Sequence, residues 1–484
     1  MEKSKSNWQK VIGLEIHVQV NSKSKAFCGD KNEFINEPNI HISPITLAHP
    51  GTLPRVNEYQ IRSAVKLGLA FGSKINSTSY FDRKNYFYPD LPKGYQITQD
   101  VQPICVAGSF DFPLPGGREK TIRIHHLHME EDAGKSIHDQ DLTLTFLDFN
   151  RAGVPLIEIV TEPDFRSSEE VFYFIQYLQM LVRNLNISDG NMEEGSFRCD
   201  CNVSVMPKES KVYGTRCEIK NLNSKRFARQ AIDYEADRQI KSLESGNTIT
   251  QTTLLYDPVK GITYPMRDKE EVNDYRYFND PDLPPVIITK ELLEEIKTEV
   301  TPTPMENFRY LKKHYKLTEA EMEVLVENER NMSLLHLFEK QDLDRRESAL
   351  LIINKLIPEW EKYGFSNISQ QKIVDKMSNL IKLYLENKVS KTIAYQNLFD
   401  LVWENRNEDV EKLAIHHKLI LSQDSDALNE LVIEIIEANP EKVNAYQKGK
   451  KGLIGFFMGE GMKKSRGKYD PKTLNKAFQN KLSK

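Results

Sequence analysis

The chain has 484 residues, 39% apolar and 28% charged, a length that excludes one small core and a composition ordinary for a soluble globular protein. No apolar run reaches the roughly 18 residues of a membrane span, and Met1 to Lys10 leads into no signal-peptide core, so a cytoplasmic chain without membrane association is expected. The net charge of -4 conceals an asymmetry, because residues 441–484 hold twelve Lys or Arg against three Asp or Glu, a balance of +9 that leaves the preceding 440 residues at -13.

From residue 11 to about 285, short alternating runs predominate, among them Lys120-Thr121-Ile122-Arg123-Ile124, Leu142-Thr143-Leu144-Thr145-Phe146 and Cys201-Asn202-Val203-Ser204-Val205. Turn-rich segments such as Pro89-Asp90-Leu91-Pro92-Lys93-Gly94 separate them. Strands joined by hairpin-length loops predict a mostly antiparallel sheet, and inserted helices over residues 168–185 and 226–243 make the class α+β. After Pro284-Pro285 the period becomes helical. Thr318-Glu319-Ala320-Glu321 has the spacing of a capping box, with Leu317 and Met322 placed for a hydrophobic staple. Helical periodicity continues over 347–357, 371–386 and 390–404, which predicts an all-α domain. A third unit begins near Arg406, with Leu428, Leu431, Ile435 and Ile436 on one helical face, Pro440 closing that helix, and a basic Gly-rich segment following. The expected domains are 1–293, 294–405 and 406–484. The basic end predicts a polyanion-binding tail on an acidic body.

Three apolar runs carry groups that a buried strand should lack. In Gly13-Leu14-Glu15-Ile16-His17-Val18-Gln19, the period of two puts Glu15, His17 and Gln19 on one face. In His126-Leu127-His128-Met129-Glu130-Glu131-Asp132, consecutive carboxylates leave open whether Glu130 or Glu131 faces the imidazoles. The third run is Pro155-Leu156-Ile157-Glu158-Ile159. Burying such groups costs several kcal/mol unless they are compensated, and a bound cation is the usual compensator. Hard oxygen donors with at most one imidazole suit magnesium or manganese better than zinc, and magnesium prefers phosphate oxygens to complete its shell. A nucleotide is the natural partner. Cations to hold its phosphates are offered by Arg83 and Lys84, beside a run of aromatics, and by Asn150-Arg151. No Walker motif is present, so another phosphoryl-transfer architecture is expected.

These strings, with Phe81-Asp82-Arg83-Lys84-Asn85-Tyr86-Phe87-Tyr88-Pro89-Asp90, Met192-Glu193-Glu194-Gly195-Ser196, Lys220-Asn221-Leu222-Asn223-Ser224 and Asp274-Tyr275-Arg276-Tyr277-Phe278, resemble the B subunit of the bacterial aspartyl/glutamyl-tRNA(Asn/Gln) amidotransferase over nearly the whole chain. The resemblance implies a cradle domain similar to the catalytic domain of glutamine synthetase, followed by a helical domain and a small tail domain that bind tRNA. It implies an ATP-dependent carbon-nitrogen ligase. ATP and Mg2+ would serve to phosphorylate the side-chain carboxylate of misacylated Glu-tRNA(Gln) or Asp-tRNA(Asn), and ammonia would then displace the phosphate. By motif, the metal ligands would be Glu15, His17, Glu131 and Glu158, the resemblance selecting Glu131 over Glu130, with Lys84 near the transferring phosphate.

The chain shows neither an amidase signature nor a candidate catalytic cysteine, so ammonia is expected from an amidase (A) subunit, with a small C subunit completing a heterotrimer. Many relatives carry paired cysteines near the N-terminus that read as a zinc clip. Here Cys28-Gly29-Asp30 and Ser43-Pro44-Ile45-Thr46 retain one thiol, and no zinc is expected. The five cysteines overall suit reduced thiols. In the tail, Lys448, Lys450 and Lys451 and then Lys463, Lys464, Arg466 and Lys468 bracket the apolar Leu453-Ile454-Gly455-Phe456-Phe457-Met458. That strip is expected to pack while the cations face tRNA phosphates.

Overall fold

The computed structural model describes residues 7–483 apart from 139, 142, 267–273, 364–368, 406, 423 and 466–467, with the side chains of 361 and 363 also outside the description. Arg466 of the expected tRNA-binding set, Leu142 of an expected strand and the expected boundary residue Arg406 therefore lie outside the described residues. The chain forms two compact units, Met1–Tyr310 with Val326–Asn328, and Leu311–Leu325 with Glu329–Lys484.

The first unit is mixed α/β, built on a ten-stranded sheet. Its central strands are β1 (Trp8–Gln19), β3 (Arg118–Glu131), β4 (Pro155–Thr161), β5 (Phe197–Pro207) and β6 (Cys217–Lys220), with β7 (Thr253–Asp257) and β8 (Ile262–Pro265) at one side. The strand β2 (Asp82–Asn85) belongs to a separate three-stranded sheet, between Tyr95–Thr98 and Phe278–Asn279. The large sheet runs β8-β7-β6-β5-β1-β4-β3, then Cys105–Val106 and Lys74–Ile75, while Ser109–Leu114 also pairs with β3. Only β6 with β7 is parallel among the described pairings, so the sheet is mixed but mostly antiparallel.

Alternation explains the two faces of this sheet. Leu14, Ile16 and Val18 of β1, Leu127 and Met129 of β3, Ile157 and Ile159 of β4, and Cys199, Cys201 and Val203 of β5 are all buried. Removing each large apolar side chain of that set from water contributes about 1.5–3 kcal/mol. Three helices pack on the sheet: α1 (Glu58–Ala70), α2 (Ser168–Asn184) and α3 (Lys225–Glu244). The last two start at Ser167 and Ser224, whose hydroxyls accept the N–H groups of Glu170 and Phe227. Gly68 lets α1 approach Cys105 closely, because a Cβ at this position would stand 2.4 Å from its sulfur. The opposite face of the sheet carries the polar members of the same alternation.

The second unit is helical. Its helix Glu319–Val326 begins with a reciprocal capping box, in which Thr318 N–H donates to Glu321 Oε2 at 2.7 Å and Glu321 N–H to Thr318 Oγ1 at 3.3 Å. Four helices, Ser425–Glu437, Pro440–Gln447, Ile454–Ser465 and Pro471–Leu482, close around Val432, Ile435, Phe457, Leu474 and Phe478. Pro440 opens the second of these at N1, where its missing N–H costs nothing. No helix among the described residues is long and apolar enough to cross a membrane.

Candidate metal and phosphate site

The register of three adjacent strands builds the site. His17 on β1 lies opposite Glu158 on β4, and Glu158 lies opposite His128 on β3, so the three form one row across the polar face. Glu130 stands two residues beyond His128 and therefore on the same face. His17 Nε2 lies 3.2 Å from Glu158 Oε2 and 3.3 Å from Glu130 Oε1, and His128 Nε2 lies 3.2 Å from Glu158 Oε2. One donor atom from each of His17, Glu130 and Glu158 falls within 4.8 Å of the others.

The electrostatics follow from that crowding. Burial alone would lower the His17 imidazole, but Glu158 and Glu130 outweigh it and push the group up to about 9. His128 is pushed to about 10 against the same burial, chiefly by Glu158 and Glu130. Burial would raise the Glu158 carboxyl, yet the two imidazoles hold it well below the usual carboxylate range. His126, squeezed by burial and by the neighbouring imidazoles His128 and His125, drops to about 4. The row thus draws protons to balance its carboxylates, and a divalent cation would supply the same balance. Two carboxylates with one imidazole is a donor set that fits magnesium or manganese.

The other expected residues divide clearly. Glu15 shares the polar face two residues from His17, where its Oε1 accepts from Asn202 Nδ2 at 2.9 Å. Burial raises its carboxyl, and Glu158 and Glu218 raise it further. Glu131 points away from the row: it pairs with Lys93 and accepts the Ile97 N–H at 3.0 Å. The structure therefore brings Glu130, rather than Glu131, to His17 and Glu158. Arg83 binds Asp280 at 2.8 Å and Asp282 at 2.7 Å. Asn150 Oδ1 accepts the N–H groups of Ile40 and His41, and Arg151 donates to the carbonyls of Ala133 and Gly134. These three side chains are engaged in holding loops.

Lys84 has a different setting. It lines a cleft of about 840 Å³ together with His126, His128, Glu130, Glu158 and Tyr277. His128 and Glu130 were not among the expected site residues. The spacing of His126, His128 and Glu130 is compatible with one strand face, but it is the pairing of Glu158 with His128 that fixes which of the two adjacent carboxylates shares it. Elsewhere, Cys28 Sγ lies 3.4 Å from Thr46 Oγ1, and burial raises this thiol.

In the second unit, Lys448, Lys450, Lys451, Lys463, Lys464 and Lys468 are exposed. Lys464 pairs with Glu434 at 2.7 Å, and Lys451 stacks over the Tyr446 ring at 4.3 Å. Phe457 of the apolar strip is fully buried against Phe478, with ring centroids 5.9 Å apart.

Comparison with known proteins agrees across both units. A family model described as the GatB/GatE catalytic domain matches residues 10–294, and one described as the GatB domain matches residues 338–482. The B subunit of the aspartyl/glutamyl-tRNA(Asn/Gln) amidotransferase of Rickettsia bellii (strain RML369-C) is 43% identical over 486 residues, covering 100% of this chain and 99% of the relative. Proteins of the same description from Rickettsia rickettsii (strain Sheila Smith) and from Wolbachia sp. subsp. Brugia malayi (strain TRS) are 42% and 41% identical, covering 100% and 99% of this chain and 99% and 100% of those relatives.

Proposed function

As the chain belongs to the family of B subunits of aspartyl/glutamyl-tRNA(Asn/Gln) amidotransferases, we propose that it passes the terminal phosphoryl group of ATP to the side-chain carboxylate of Glu or Asp misacylated on tRNA, and then converts the acyl phosphate to an amide. The observation that carries this reading is the row of His17, Glu158 and His128 with Glu130, of which His128, Glu130 and Glu158 line a cleft together with Lys84.

The chemistry needs each part. A carboxylate acylates poorly, so activation must precede amide formation. A substrate carboxylate oxygen bonds to phosphorus as the bond from phosphorus to ADP breaks. Ammonia nitrogen then bonds to the acyl carbon, inorganic phosphate leaves and a proton is released. The Lys84 ammonium offsets charge on the transferring group. His17, Glu130 and Glu158 would hold Mg2+, with Glu15 beside them adding negative charge. The ion, when bound, supplies Lewis-acid stabilisation of the phosphate oxygens. The acyl phosphate hydrolyses readily, so ammonia should arrive from a shielded source. In this reading the source is the amidase (A) subunit, with a small C subunit in a cytoplasmic heterotrimer. The first unit acts as a cradle similar to the glutamine synthetase catalytic domain, and the exposed tail lysines bind the misacylated tRNA(Gln) or tRNA(Asn) backbone.

Glu158→Gln in the assembled complex tests the proposal through ADP release, amidated tRNA and retention of tRNA on filters. Amidation and ADP release are expected to fall by at least about 10²-fold, with tRNA retention unchanged. Undiminished amidation would reduce the chain to an RNA-docking scaffold for the amidase.

A further inference from the structure

Arg83 and Lys84 are adjacent on β2, yet the structure treats their charges differently. Arg83 is neutralised by Asp280 and Asp282 and lies over the Tyr95 ring at 4.2 Å. Lys84 has no carboxylate within ion-pair distance among the described residues, and its Nζ stands 4.9 Å from the centroid of the Tyr275 ring. We infer that Tyr275 is a positioning residue for Lys84, its ring face holding the ammonium toward the cleft that contains Glu130 and Glu158 without cancelling its charge. The role depends on the phosphoryl-transfer reading proposed above.

The physical distinction is between two ways of ordering a lysine. A carboxylate would fix the side chain but would pair the charge that a phosphate has to meet. An aromatic face attracts the cation through its quadrupole and leaves the unit charge intact. The ring is itself well placed for this. The segment Phe278–Asn279 pairs antiparallel with β2, Phe278 opposite Arg83 and Asn279 opposite Asp82. The Asn85 N–H donates to the Tyr275 carbonyl at 3.0 Å, and Asn85 Nδ2 donates to the carbonyls of Tyr275 at 3.1 Å and Arg276 at 2.9 Å. Tyr275 is thus tied to the residue following Lys84.

Two edge-to-face contacts set the ring plane. Tyr86 and Tyr277 lie 6.1 Å and 6.0 Å from Tyr275, at interplanar angles of 73° and 68°. Between Tyr275 and Tyr277, Arg276 turns through φ +46°, a left-handed conformation that a non-glycine residue adopts at a cost. The bend allows both tyrosines to flank one corner of the cleft, which Tyr277 lines directly with Lys84.

Two readouts test the inference, one of which does not depend on activity. Lysines of the full chain are reductively methylated with 13C, and the Lys84 resonance is assigned by its loss in Lys84→Arg. The ring current should displace that resonance upfield of the exposed lysines, an effect abolished in Tyr275→Leu and kept in Tyr275→Phe. In the assembled amidotransferase, Tyr275→Leu should lower kcat for ATP-dependent amidation about tenfold with KM for ATP changed less than about threefold, and Tyr275→Phe should stay within about threefold of the parent. An undisplaced Lys84 resonance, or equal losses in the Phe and Leu variants, overturns the positioning role. If Lys84→Met is inactive while Tyr275→Leu is fully active, the positioning role alone falls. If Lys84→Met amidates normally, the phosphoryl-transfer reading falls, and the ring-current shift still reports whether the contact exists.

Discussion

The polar row of the sheet and the basic helices of the tail both carry dense charge, but they hold it under opposite conditions. In the row, His17, His128, Glu130 and Glu158 are packed at close range on a strand lattice, where the carboxylates raise the two imidazoles and the imidazoles lower Glu158. In the tail, Lys448, Lys450, Lys451, Lys463 and Lys468 project into solvent from helices and turns, with their apolar neighbours buried beneath. Buried charge is therefore positional and cooperative, so that one wrong residue should cost nearly everything. Exposed charge is screened and close to additive, so that single losses should be small.

The sharpest break in this contrast is expected from Glu130 and Glu131, neighbours in sequence on opposite faces of β3. Glu130→Gln should lower ATP-dependent amidation by about 10²- to 10³-fold and weaken Mn2+ binding measured by calorimetry. Glu131→Gln should leave Mn2+ affinity nearly intact and instead lower the denaturation midpoint, because the half-buried Lys93 ammonium loses the negative charge it pairs with. The reverse pattern would restore Glu131 as the ligand.

The second expected effect concerns pH. In the metal-free protein, the Glu158 and Glu130 carboxylates hold the His17 imidazole at about 9, above its ordinary 6.5. Its protonated form therefore stabilises the metal-free fold fully below 6.5, and that contribution fades as pH rises through 9. A cation must displace this proton, so apparent Mn2+ affinity should climb by up to about tenfold per pH unit across that window and level above it. Calorimetry in buffers of different ionisation heats would count the proton released. A flat profile would mean that His17 is not a ligand.

Smaller effects belong to the tail. A Cβ at Gly461 would lie 2.8 Å from Phe478 and 2.9 Å from Leu474, so Gly461→Ala should cost about 1–2 kcal/mol by overpacking, read from chemical denaturation. Smallest of all, Lys450→Ala should weaken tRNA binding only about two- to threefold and lower the slope of log affinity against log salt by somewhat less than one unit. A tenfold or larger loss from that single lysine would show that the tail, like the row, depends on specific positions.

The capping box at Thr318, the helices that became α2 and α3, and the polar stripe of β1 were legible because each is set by neighbours a few residues apart, through the periods of 3.6 and 2. The apolar strip at Phe457 was legible for the same reason. What the local sequence left open was which of Glu130 and Glu131 joins His17, since two adjacent carboxylates satisfy alternation either way. Pairing Glu158 with both His17 and His128 removes the ambiguity, because strand register is a long-range property fixed by the whole sheet. The uses of Arg83, Asn150 and Arg151 were hidden in the same way. Nothing near them in sequence announces Asp280, Ile40 or Gly134 as partners. Sequence alone therefore determined which elements form and which chemical groups are present, as these depend on short-range periodicity. Tertiary structure alone decided which of those groups meet, because a carboxylate becomes a ligand or a brace according to what distant strands place within about 3 Å of it.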